Sequence, residues 1–222
     1  MGYKLDFGAL LDYLSLFAEG TAVTLGLAAV AALCGIPLAI ASAALAWGRP
    51  GWSRQLVQTY VEVIRNTPFI VQLFFIFFGL PGLGFRLGAL YAAALALTIN
   101  FAAYAAEIVR AGLESVPTGQ REAGRALGLG PILIFALIAL PQAVSAVYPA
   151  LTSQIVITML ESAVVSQIAV VDLTHAGDFV QSRNFRSFET YLVVTVIYLG
   201  LAILVRRLLM ACRRAFARGI AS

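Results

Sequence analysis

The chain alternates between long apolar runs and short polar connectors. Five runs reach the roughly 20 residues that a helix needs to cross a bilayer: about 21–47, 56–80, 87–109, 131–160 and 191–210. They are long stretches with occasional interruptions, not ten-residue segments of alternating polarity, which points to membrane helices over a membrane barrel. The second run opens polar, with Glu62, Arg65, Asn66, Thr67 and Pro68 ahead of the strongly apolar Phe69 to Phe78. The third carries Asn100 and Glu107, the fourth is interrupted by Pro141 and Pro149, and the fifth is clean. Turn chemistry separates them at Gly48-Arg49-Pro50-Gly51, Pro81-Gly82-Leu83-Gly84 and Val116-Pro117-Thr118-Gly119. The pattern predicts one all-α integral membrane domain over 1–222, without an internal repeat.

Composition sharpens this. Hydrophobic residues make up 61% of the 222 and charged ones 12%, about half the charge of a water-soluble domain. The net charge of +4 does not point to nucleic acid, because the arginines are scattered between apolar runs and form no single basic face. They fix orientation instead, since cytoplasmic loops retain Lys and Arg. With the N-terminus outside, ten basic residues face the cytoplasm (Arg49, Arg54, Arg110, Arg121, Arg125, Arg206, Arg207, Arg213, Arg214, Arg218). Four lie outside (Lys4, Arg86, Arg183, Arg186), and Arg65 falls within the second run. The loop at about 110–130 and the C-terminus are therefore expected in the cytoplasm. The N-terminal stretch lacks the basic region of a cleaved signal, so the first apolar run is expected to be retained. Cys34 and Cys212 are read as packing residues.

The cytoplasmic loop carries the most specific pattern. From Glu122 it reads Glu122-Ala123-Gly124, three residues, Gly128, nine residues, Ile138, one residue, Leu140-Pro141. Pro117 and Thr118 can start a short helix here, Glu122 falls in its first turns where the macrodipole favours an acid, and Leu127-Gly128 can close it in a left-handed cap. This spacing resembles the EAA motif of permease subunits of ABC importers, with Gly124 where that family has Ala. Further runs narrow the resemblance to the polar amino acid permeases, of histidine, glutamine, arginine and opine type. Arg65-Asn66-Thr67-Pro68 leading to Gln72 is similar to that family's Arg-Gly-Thr-Pro…Gln. Ala103-Tyr104-Ala105-Ala106-Glu107-Ile108-Val109-Arg110 and Val116-Pro117-Thr118-Gly119-Gln120-Arg121-Glu122-Ala123 also match its pattern.

The resemblance implies a type I ABC importer permease with about five transmembrane helices and a cytoplasmic coupling helix. It implies that Gly119, Gln120, Glu122, Ala123, Gly124, Gly128, Ile138, Leu140 and Pro141 form the coupling to an ATPase. The implied partners are a second permease subunit, identical or paralogous, two ATPase subunits that hold ATP and Mg, a periplasmic or lipid-anchored amino-acid-binding protein, and membrane lipid. No cofactor, metal or nucleic acid is expected on this chain, and the expected location is the bacterial inner membrane. The chain departs from the family at Leu160-Glu161-Ser162-Ala163-Val164-Val165-Ser166, where a Lys-x-Thr-Ser-Leu-x-Ser run is usual.

Ionisable groups inside a span are costly and face a cavity or a partner. Glu62 and Arg65, and Glu107 and Arg110, each stand three apart and can pair on a helix. Arg65 or the Thr67-Pro68 break can alternatively hold a substrate carboxylate, since discontinuous helices free backbone donors. Gln72, Asn100 and Tyr104 extend this set of path candidates. Glu161 has no basic residue within eight positions, and Gln154, Thr158, Ser162 and Ser166 surround it at helical spacing. Such a carboxylate suits a cationic side chain, guanidinium above all. Asp172, His175 and Asp178 are spaced like a metal patch, but a single His and amphipathic flanks favour an outer-face segment. Phe74, Phe75, Phe77 and Phe78 are read as lipid or helix packing. An intramembrane enzyme would show a nucleophile elbow, a HExxH pair or paired membrane carboxylates, and a secondary transporter more spans or a repeat. The sequence has none of these.

Overall fold

A computed structural model describes residues 5–47 and 51–220, with side chains through 214. The first predicted turn falls mostly on residues 48–50, outside the described residues. Among the described residues nine α-helices follow one another: α1 (Leu14–Ala46), α2 (Trp52–Arg65), α3 (Phe69–Phe74), α4 (Ala89–Glu114), α5 (Thr118–Ala126), α6 (Pro131–Leu133), α7 (Leu140–Glu161), α8 (Leu173–Asn184) and α9 (Ser187–Ile220). Four helical rods among the described residues are long and apolar enough to cross a membrane: Gly8–Ala46, Ala89–Glu114, Pro131–Ile168 and Ser187–Arg214.

The second apolar run is where the hydropathy reading and the structure part. It is not one rod: α2 and the helical stretch Phe69–Leu83 meet at 106°. Pro68 supplies no N–H and disfavours the helical conformation at Thr67, so the helix ends at Arg65. Pro68 itself is extended at φ −60°, ψ 137°. A second proline shapes the rod Pro131–Ile168. Pro141 cannot donate to the carbonyl of Leu137, and the turn just before it, Ile134–Ala139, widens to π-helix.

α4 is the central post, with 67% of its most apolar stretch buried. Small residues allow the close approach that association in lipid depends on. Ala92, Ala93, Ala96 and Ala103 are buried on it, and α1 crosses at Gly35, where a Cβ would come 2.5 Å from the Phe101 ring. α9 lies outermost, with only 11% of its most apolar stretch buried. Both cysteines are free and exposed, which corrects their reading as packing residues: the outer surface of a membrane helix is apolar too. Of the phenylalanine cluster, Phe75 and Phe78 point outward while Phe74 and Phe77 pack on the core.

Candidate functional site

α5 is a nine-residue helix whose ends follow from its sequence. Pro117, in an extended conformation, precedes it. At the other end Gly128 takes φ +76°, and two bonds close the last turn, Gly128 N–H to the Arg125 carbonyl (2.9 Å) and Leu129 N–H to the Gly124 carbonyl (3.1 Å). This is the paired-bond glycine cap of helix C-termini, at the position the sequence selects. Glu122 is the fifth residue, not in the first turn, which holds no acid; its placement therefore owes little to the macrodipole.

The spacing of the motif has a packing cause. Gly124 is the buried residue of α5, and a Cβ there would lie 2.8 Å from Ile138 Cδ1 and 3.1 Å from Ile134 Cγ1. The Gly124–Ile138 contact fastens α5 to the π turn of the returning rod, and Leu140-Pro141 fixes that turn. Gly119, Gln120, Glu122 and Ala123 are exposed, and a Cβ at Gly119 would meet nothing within 4 Å. Leu127 (78% exposed) and Ile132 (76%) extend this outward surface with apolar contacts.

A second group gathers at the α2–α3 break. Gln72 Nε2 donates to the carbonyl of Ile64 (2.7 Å), to that of Thr67 (3.0 Å) and to Thr67 Oγ1 (2.8 Å). It thus satisfies an orphan carbonyl at the C-terminus of α2. Asn100 of α4 donates to Gln72 Oε1 at 3.0 Å, and its own Oδ1 is buried without a partner. Tyr104 donates to the Arg65 carbonyl at 3.4 Å, and the Arg65 guanidinium lies 5.5 Å from the Tyr104 ring centre. Arg65, Thr67, Gln72, Asn100 and Tyr104 are therefore one connected cluster.

The structure revises one pairing. Arg65 turns away from Glu62 and across to Glu107 of α4, 3.8 Å away. The expected Glu107–Arg110 pair is present, with Nε at 3.0 Å and Nη2 at 2.5 Å. Arg110 also reaches Glu114. No local periodicity announced the Arg65–Glu107 link; the cost of an unpaired charge at membrane depth was the one available signal.

Along α7 and its C-cap the polar stripe is turned inward: Gln154 (7% exposed), Thr158 (1%) and the capping Ser162 (0%) are buried. Ser162 donates to the Met159 carbonyl at 2.7 Å, whereas Thr158 Oγ1 has no partner. Glu161 is half-buried and its Oε2 is enclosed without a hydrogen bond. The segment Ser162–Ile168 that follows packs against α3, the helix of Gln72. Among the described residues Thr158 Oγ1 and Glu161 Oε2 make no hydrogen bond to the cluster at the break.

Asp172, by contrast, is a capping residue of α8. It accepts from the His175 N–H at 2.9 Å and from the Tyr198 hydroxyl at 3.2 Å, and is fully buried. Burial pushes its carboxyl above the usual carboxylate range, with the His175 and Tyr198 hydrogen bonds pulling the other way. Asp178 accepts from Tyr191 at 2.7 Å. Among the described residues no group of three or more His, Cys, Asp or Glu side chains is placed to hold a metal.

Residues 35–217 match the family described as the inner membrane component of binding-protein-dependent transport systems. The chain is 33% identical to the arginine transport system permease protein ArtQ of Bacillus subtilis, over 90% of this chain and 92% of that one. It is 36% identical to the probable glutamine ABC transporter permease protein GlnM of the same organism, over the same shares. The octopine transport system permease protein OccM of Rhizobium radiobacter is 32% identical, over 86% and 81%. Among solved structures, an amino acid ABC transporter crystallised with histidines superposes with a TM-score of 0.86 at 35% identity, covering 96% of this chain and all of that one. The MetNI methionine ABC transporter, in an inward-facing form, gives 0.79 at 26%, covering 92% and 98%.

Proposed function

The chain belongs to the family of inner membrane components of binding-protein-dependent transport systems, and on that premise we propose that it is the permease subunit of an ATP-driven importer of polar amino acids. It is not itself an enzyme, and its sequence contains no glycine-rich phosphate loop. ATP and Mg are held by two partner ATPases, while a binding protein delivers the solute to the outer loops and a second permease copy or paralogue completes the path. Nucleotide-driven closure of the ATPases moves α5, and the spans alternate between outward and inward access. By the distribution of Lys and Arg, the N-terminus is outside and the C-terminus in the cytoplasm.

The observation that supports this reading most directly is the capped α5, fastened by Gly124 to Ile134 and Ile138 with Gly119, Gln120, Glu122 and Ala123 left exposed. A helix clamped on one face and bare on the other is built to transmit a push. For the solute, the enclosed and unpartnered Oε2 of the half-buried Glu161 favours a cationic side chain, because a carboxylate oxygen shut away from water without a donor is costly until one arrives. Arginine and histidine are the first solutes to try. A relative named for glutamine keeps a neutral amide in view as the alternative, and one named for octopine an opine.

The test is reconstitution of the permease with its ATPase and binding protein in proteoliposomes, measuring ATP-dependent uptake of labelled arginine, histidine, glutamine and octopine. Glu122→Lys, in a folded and assembled complex, abolishes uptake; wild-type uptake by that variant refutes the role of α5. Glu161→Gln lowers arginine uptake more than glutamine uptake; equal losses, or none, refute its role in selectivity.

A further inference from the structure

A cavity of about 500 Å³ opens between α1, α2 and α4, with Arg121 of α5 at its edge. It lies on the side that the basic residues mark as cytoplasmic. Along its wall runs a file of alternating charges. Arg65 stands 3.8 Å from Glu107, Glu107 is held in a fork by Arg110 at 2.5 and 3.0 Å, and Arg110 passes on to Glu114.

The two ends of the file matter more than its middle. Arg65 is the last residue of α2, at the 106° break. Glu114 is the last residue of α4, three positions ahead of Pro117, the residue that precedes α5. Between them, Glu107, Arg110 and Glu114 share one face of one helix at spacings of three and four, so that part of the file moves as a unit. The joint between Arg65 and Glu107 is the crossing from α4 to α2 and the longest link in the file. Arg54, Glu62 and Arg121 line the same cavity and offer other partners of both signs. Side chains 30 to 63% exposed make pairs that are individually weak and therefore able to exchange partners.

We propose that Glu107 is a positioning residue of the transport cycle, clamping the end of α2 at the break to the charged file that leads to α5. Displacement of α5 carries Arg121 past Glu114, Arg110 is redistributed between Glu114 and Glu107, and the hold of Glu107 on Arg65 changes with it. The break thereby receives the movement of α5 without any contact between α5 and the solute. This rests on the reading of α5 as the ATPase contact. Contiguity alone does not establish coupling, so the test must read coupling directly.

The experiment uses the complete complex in proteoliposomes at saturating solute, measuring molecules of ATP hydrolysed per molecule of amino acid moved. If the wild-type complex moves no amino acid, the functional reading fails and the role of Glu107 fails with it. If wild type transports, Glu107→Gln raises the ratio by about five-fold or more, Glu107→Asp restores much of it, and Arg65→Gln raises it similarly. Combining Glu107→Gln with Arg65→Gln adds nothing further, since both break the same joint. Should Glu107→Gln fail to assemble, Arg65→Gln alone carries the test. A ratio unchanged in these variants, with hydrolysis and uptake falling together, marks a merely structural ion pair and overturns the proposal. Multiplying effects in the double variant overturn it as well.

Discussion

Gly124→Ala restores the residue usual in the EAA motif, and the structure says that it should not be a simple gain. Helix propensity alone favours Ala over Gly by about 1 kcal/mol. Against this, the new Cβ would lie 2.8 Å from Ile138 Cδ1 and 3.1 Å from Ile134 Cγ1, where ordinary contact begins near 3.4 Å. Both atoms belong to side chains and not to backbone, so the backbone stays in place and the isoleucines move. Forcing Ile138 off its rotamer costs about 0.5–1.5 kcal/mol, and the net change is expected within about 1 kcal/mol of zero. The informative quantity is the coupling. Ile138→Val removes the clashing Cδ1; alone it costs about 0.5–1.5 kcal/mol, but after Gly124→Ala it relieves the overlap. The double variant is therefore expected to be more stable than the sum of the singles by about 1 kcal/mol. Equilibrium unfolding of the purified permease–ATPase complex in a detergent titration measures all four corners. Additivity within about 0.3 kcal/mol, together with a stabilising Gly124→Ala single, would refute the contact as the reason for glycine here.

Three further outcomes are expected. Asp172→Asn flattens the pH dependence of stability: because burial raises the native carboxyl above its unfolded value, its contribution is fully present below the unfolded value and lost as pH rises through the native one. The asparagine keeps the cap to the His175 N–H, so the variant is at least as stable as wild type at pH 8, whereas Asp172→Ala loses about 1 kcal/mol; thermal unfolding across pH reads both. Gly20→Ala destabilises by about 1–3 kcal/mol, since its Cβ would stand 2.7 Å from the Asp172 carbonyl oxygen and 2.9 Å from Leu173 Cα, backbone that no rotamer can move. Gly26, with nothing within 4 Å, is the control at which Ala is harmless. Gln72→Ala costs about 1–3 kcal/mol by stranding the buried Asn100 amide, and a second change, Asn100→Leu, recovers part of that loss.

What could be read from the sequence was whatever is dictated locally. The α5 motif is legible because its parts are linked through short spans of chain: a glycine cap four residues past its small buried position, and a proline that fixes the next turn. Four of the five predicted spans follow from length, and the break that splits the other follows from the missing N–H of Pro68. Pairing across helices was not legible. The three-residue rule assigns Arg65 to Glu62, yet Arg65 is the final residue of α2, where the helix turns through 106° and α4 passes close enough to offer Glu107.

The α7 stripe shows the same limit in another form. Periodicity located the face shared by Gln154, Thr158 and Ser162 but not the direction it points. In water, direction comes from the contrast between an apolar interior and a polar outside; in lipid both sides are apolar, so exposed Cys34 and buried Thr158 each stand where a soluble-protein rule would reverse them. A polar residue within a span identifies a place where pairing must be solved, and only the packing of α4 against α1, α2 and α7 determines which groups solve it. Glu161 marks such a place: it is half-buried, and its Oε2 is enclosed without a hydrogen-bond partner among the described residues.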